Sequence, residues 1–183
     1  MPPKSSRRKP NLERPNKAMR PIPREAEVDL AKRWIKKGVQ VHRVYMSREG
    51  TPFGINVELQ REQNNYKIRI IHFDAKHEPT VVGTNQVFVD RMNNQIAIHS
   101  GDNLGSIHRE GGRLSGIIST GGTQQFRPVL DFAIRVARDQ GMRRIVLSTV
   151  EPKLAKYFKG FGFVQEKSTD KMYHLHLTLP PAQ

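Results

Sequence analysis

Apolar side chains change their spacing several times along this chain, and each change marks an element. Between Arg24 and Lys37, Leu30, Ala31, Trp34 and Ile35 form one stripe of a 3.6-residue repeat. Glu25, Glu27 and Asp29 lie in the first turns, Lys32, Arg33, Lys36 and Lys37 in the last, and Gly38 follows, so a helix is predicted from about Arg24 to Lys37. Trp34 is its expected core anchor. From Val39 to Phe73 the period becomes two. Val39, Val41 and Arg43 form a first run, Phe53, Ile55, Val57 and Leu59 a second, and Tyr66, Ile68, Ile70, Ile71 and Phe73 a third. Turn residues at Gly50-Thr51-Pro52 and from Glu62 to Asn65 separate them, which predicts an antiparallel meander. Two shorter strands are expected near Gln86 to Asp90 and Gln95 to His99, with Asn93-Asn94 at the tip between them.

A short apolar strand, Leu114 to Ile118, precedes a second helical pattern that starts at Pro128. Val129, Leu130, Ala133, Ile134, Val136 and Ala137 form its broad apolar face, and Gly141 stops it. Ile145-Val146-Leu147 then suits a buried strand lying parallel to a neighbour, and a short helix from Pro152 to about Lys159 closes on Gly160-Phe161-Gly162-Phe163. A last strand, Lys171 to Leu179, places Tyr173, Leu175, Leu177 and Leu179 on one face. Strands first and a strand-helix-strand crossover later predict an α/β (α+β) domain with a single mixed, mostly antiparallel sheet flanked by helices.

Composition adds a strong charge bias. The 183 residues carry 31 Lys and Arg against 17 Asp and Glu, a formal net charge of +14. This basic protein is therefore expected to meet polyanions. Residues 1 to 24 hold Pro2, Pro3, Pro10, Pro15, Pro21 and Pro23 among basic side chains, with few apolar ones to offset the entropy of ordering. They are expected to form a disordered arm ahead of one domain, residues 25 to 183. Arg7, Arg8, Lys9, Arg14, Lys17 and Arg20 are its candidate contacts to nucleic-acid phosphates, and a solubilising leader is the plainer reading. The absence of cysteine removes disulfides, thiolate metal sites and Cys nucleophiles. No apolar run approaches the about 18 residues that span a bilayer, and no secretory signal is seen, so an intracellular, cytoplasmic location is the default expectation.

The stretch RPVLDFAIRVARDQGMRRIVLSTVEPKLAKYFKGFGF, Arg127 to Phe163, resembles the C-terminal half of the GNAT superfamily of N-acyltransferases. There a helix follows the acyl-CoA pyrophosphate loop, a strand comes next, and a short helix ends in a Gly-Phe pair. The resemblance covers roughly residues 114 to 179. It implies acetyl-CoA or another acyl-CoA as cofactor, bound at Gly121, Gly122, Thr123, Gln124, Gln125 and Arg127, where the N–H groups of a helix start face a pyrophosphate. Gln124 and Phe126 stand where the family has small residues, and Phe158 stands where many members have a proton-donating Tyr, with Tyr157 adjacent. The implied activity is acyl transfer from acyl-CoA to an amine. The alternative is a catalytically inactive GNAT-like protein that associates with nucleic acid or an assembly through its arm.

Other chemistry is sparser. His108 and Glu110, in a segment with seven of the 14 glycines, are an acid-base candidate, as are Tyr157, Asp74 and Glu78. His174 and His176, two apart on a strand, share a face, and His72 or His99 is the candidate third ligand for a metal there. No clustered carboxylates and no His-Glu-x-x-His support that, so a polar sheet face and no metal are expected.

Overall fold

The computed structural model describes residues 20–47, 50–73, 79–100, 108–110, 113–116, 126–167 and 170–181. Its elements run β1 (Arg20–Pro21), α1 (Arg24–Ile35), β2 (Arg43–Met46), β3 (Pro52–Gln60), β4 (Asn65–Phe73), β5 (Pro79–Asp90), β6 (Gln95–Ser100), β7 (His108–Glu110), β8 (Arg113–Gly116), α2 (Phe126–Asp139), β9 (Arg144–Thr149), α3 (Pro152–Lys159), β10 (Val164–Gln165) and β11 (Tyr173–Thr178). Nine strands form one sheet in the order β1-β2-β3-β4-β5-β6-β9-β11-β10, while β7 and β8 pair only with each other. Every neighbouring pair in the large sheet is antiparallel except β6 and β9. The expected mixed, mostly antiparallel α+β fold is therefore present.

Period two divides the sheet into two buried faces. Tyr45, Phe53, Ile55, Ile68 and Ile70 join Ile96, Ile145, Leu147 and Leu175 beneath α2 and α3. Val44 and Ile71, one position out of step with Tyr45 and Ile70, point the other way and close on Trp34 of α1. A register shift between Ile70 and Ile71 accompanies that change of face. Trp34 is fully buried, and α1 ends in a turn at Gly38, whose φ of 77° is a left-handed conformation that glycine adopts without a Cβ penalty.

The helix-strand-helix succession implied by the last third is observed, with α3 on the predicted residues and Gly162 at φ 95° in the closing turn. Several expectations change. Val39 and Val41 lie ahead of β2 and pack on the α1 cluster instead of forming a strand. The strand expected near Gln86 to Asp90 begins at Pro79, because polar Thr84, Asn85 and Gln86 continue the ladder to β4. Of the strand expected at Leu114 to Ile118, the part through Gly116 belongs to β8 and pairs with β7, while Ile117 and Ile118 lie outside the described residues; within the large sheet, β6 is the strand that α2 links to β9. The short β10 was not expected; two residues carry no readable period.

Truncating Trp34 to Ala should cost about 3–5 kcal/mol, the usual range for a large buried aromatic. Urea unfolding monitored by far-UV circular dichroism measures it. A loss below about 1 kcal/mol would mean that α1 does not hold the sheet through this side chain.

Candidate functional site

The neighbours β6 and β9 are paired for only part of their length. Their parallel register runs Gln95–Arg144, Ile96–Ile145, Ala97–Val146 and stops there, although β6 continues to Ser100 and β9 to Thr149. Each keeps its outer partner to the end, β6 through Asn85–Ser100 and β9 through Tyr173–Thr149. The two strands therefore part and do not simply terminate. Past Ala97 and Val146 the split offers backbone N–H and C=O groups that the two strands do not exchange with each other, and such edges accept an extended ligand that carries amides.

Helix α2 connects these two parallel strands and so runs back along them. Its N-terminus consequently lies at their C-terminal ends, where the split opens, the usual place for ligands in sheets with parallel strands. Its first residue is clamped. The ring of Phe126 lies 4.7 Å from Phe158, 5.3 Å from Phe161, 6.0 Å from Phe163 and 6.2 Å from Tyr157, measured between ring centroids. Bulk at Phe126 is thus turned into the core and does not stand in front of the helix start, which removes one obstacle that the sequence raised. Phe158 and Tyr157 are both buried in the same cluster, Tyr157 edge-on to Phe161 at 5.0 Å.

On the opposite face of the split stands a hydrogen-bonded chain. Ile145 and Leu147 turn under the helices, so alternation places Ser148 on the other face, directly across the ladder from His174. Ser148 Oγ is 2.7 Å from His174 Nδ1, and His174 Nε2 is 2.8 Å from Asp170 Oδ2. With a carboxylate accepting from Nε2–H, the neutral ring keeps its lone pair on Nδ1 and Ser148 donates to it. This is the order of a nucleophile or relay hydroxyl, a base and an orienting acid. Farther along the same face, Glu166 pairs with Arg144 and with His176 Nδ1 at 2.9 Å.

The sequence-derived candidates are distributed as follows. Gly121, Gly122, Thr123, Gln124 and Gln125 lie outside the described residues, as do Asp74, Glu78 and the arm residues Arg7, Arg8, Lys9, Arg14 and Lys17. Arg20 lies in β1, exposed, opposite Met46. Arg127, expected in the loop, belongs to the first turn of α2, where its Nε donates to Asp131 Oδ1 at 2.8 Å. His108 and Glu110 lie in β7, apart from the large sheet. His72 packs at a tilt on Phe53 and His99 edge-on to Phe88, so neither joins His174 and His176; among the described residues no three His, Asp or Glu are placed to hold a metal. Ser148 and Asp170 were not singled out by sequence. Only knowledge that β11 pairs with β9 reveals that Ser148 faces a histidine.

No family model and no curated protein matches the sequence. Among solved structures, the chain is similar to the GNAT domain of S. lividans PAT, with 14% identity over 66% of this chain and 64% of that one and a TM-score of 0.44. It is likewise similar to a GNAT-family acetyltransferase from Staphylococcus aureus MU50, with 16% identity over 65% of this chain and 70% of that one and a TM-score of 0.44. A spermidine N-acetyltransferase chimera from Vibrio cholerae and hSSAT shows 11% identity over 65% of this chain and 69% of that one, with a TM-score of 0.42. No helix among the described residues is long and apolar enough to cross a membrane.

The other carboxylate oxygen of Asp131 accepts the Tyr45 hydroxyl at 3.0 Å, which ties α2 to β2. Burial, then the Asp131 charge, raises the Tyr45 pKa well above the ordinary value near 10. Because the folded state holds this proton more tightly, the associated stability is fully present below about pH 10 and falls as pH rises above it. Replacing Asp131 by Asn should bring the ionisation of Tyr45 to lower pH in a tyrosinate absorbance titration, with Tyr45→Phe as the blank. An unchanged titration would contradict the contact.

Proposed function

We propose that the protein is an acyl-CoA-dependent N-acyltransferase that acts at the split between β6 and β9. The observation that carries this reading is the parting of two parallel strands after Ala97 and Val146, at the end where α2 begins. Acyl-CoA brings a thioester whose carbonyl an amine attacks, a pantetheine arm with two amides, and a pyrophosphate. The edges of β6 and β9 supply amide partners for an extended arm, and the N–H groups of Phe126, Arg127 and Val129 face the anionic end from the start of α2. Arg127 adds positive charge there, partly directed by Asp131.

From the opposite face, Ser148 and His174 act on the acceptor amine. As the nitrogen bonds to the acyl carbon and the carbon–sulfur bond breaks, the amine proton passes through Ser148 Oγ to His174 Nδ1, and Asp170 stabilises the imidazolium that forms. The sulfur leaves as thiolate and is later protonated. Donor and acceptor thus meet across the sheet, each held by its own face.

Release of CoA thiol, followed with acetyl-CoA and a panel of primary amines, tests this function. His174→Gln should lower the amine-dependent rate by about 10²–10⁴-fold while calorimetric affinity for acetyl-CoA stays unchanged. No binding at millimolar acetyl-CoA would overturn the function. Binding with a fully active His174→Gln protein would overturn only the role of His174.

A further inference from the structure

A second concave site, lined by no residue of β6 or β9, lies between the β2–β4 end of the sheet and α2. It is a cleft of about 240 Å³. Ile55, Val57 and Leu59 alternate along β3 to form its floor, and Pro128 and Phe132, one helical turn apart, form the wall. Tyr66 meets Phe132 edge to face at 5.2 Å. Leu59, 47% exposed, leaves this apolar floor open to solvent.

The polar groups around the cleft share one sign. Arg43, Arg135 and His42 line it, and no Asp or Glu does. The two nearby carboxylates are engaged: Glu27 by Arg43 at 3.0 Å and by the Val44 N–H, Asp131 by Arg127 and Tyr45. Arg135 is exposed and makes no ion pair among the described residues. His42 Nδ1 accepts the Val57 N–H at 3.0 Å, so the neutral ring carries its proton on Nε2 and presents a donor. An apolar floor of this size with cations and a fixed donor but no available acceptor charge selects an organic anion with an apolar body.

We propose that this cleft binds a small amphipathic carboxylate, its aromatic or branched aliphatic body on Val57, Leu59 and Phe132 and its carboxylate on Arg135. The site is separate from acyl transfer and stands whether or not that reading holds. Arg135 supplies most of the charge selectivity, because Arg43 is already shared with Glu27.

4-Phenylbutyrate and its uncharged counterpart 4-phenylbutanol, titrated into the full chain by NMR, are the probes. Saturable binding of the acid, at least about tenfold weaker for the alcohol and for Arg135→Gln, is expected for a charge-assisted contact. Leu59→Trp, a change at a half-exposed position that fills the floor, should abolish binding while leaving the circular dichroism spectrum and thermal midpoint unchanged. Equal affinity for acid and alcohol, binding indifferent to both substitutions, or no saturable binding of the acid would each overturn the proposal.

Discussion

The packing of Phe126 is the contact on which the site depends. As the first residue of α2 it fixes where that helix starts, and its partners Tyr157, Phe158, Phe161 and Phe163 belong to α3 and the turn that follows. One aromatic cluster thus joins the helix that enters β9 to the helix that leaves it. Rings at edge-to-face and tilted angles add directional attraction to the burial of large apolar areas, so the cluster sets orientation as well as stability. With α2 anchored at this end, its N-terminal N–H groups are held where β6 and β9 diverge. Without that anchor the helix start would be free to fray.

The sheet separates two tasks because its residues alternate. One face packs Ile145, Leu147 and Leu175 under the helices, and the other leaves Ser148, His174 and Asp170 in a polar chain. A continuous sheet would isolate the two faces from each other. In the proposed acyl transfer, the divergence beyond Ala97 and Val146 is what joins them. At the far end the same alternation sends Ile71 and Val44 to Trp34, so α1 covers the face that α2 and α3 leave open.

Much of this architecture was legible in the sequence because long amphipathic periods are legible. The twelve residues of α1, the fourteen of α2 and the alternation in β3, β4 and β11 all announce themselves through spacing and stop signals. What escaped were features set by pairing between distant segments. Leu114, Ile117 and Ile118 suggest a core strand, yet β8 pairs locally with β7, a pairing that the sequence alone does not show. Phe126 looked like an obstruction because a linear frame cannot show which way a ring turns. Ser148 carries no local signal, since its partner histidine lies 26 residues away on a strand whose position in the sheet, between β9 and β10, only the topology reveals.

The central claim is that the divergence of β6 and β9, next to the start of α2, is a donor-binding site. Backbone amide hydrogen exchange with and without acetyl-CoA tests it directly. The account predicts slowed exchange at residues 98–100 and 147–149 and in the first turn of α2, with the α1 face unchanged. Unaltered exchange at all three segments under saturating acetyl-CoA, or protection confined to β2–β4, would contradict it.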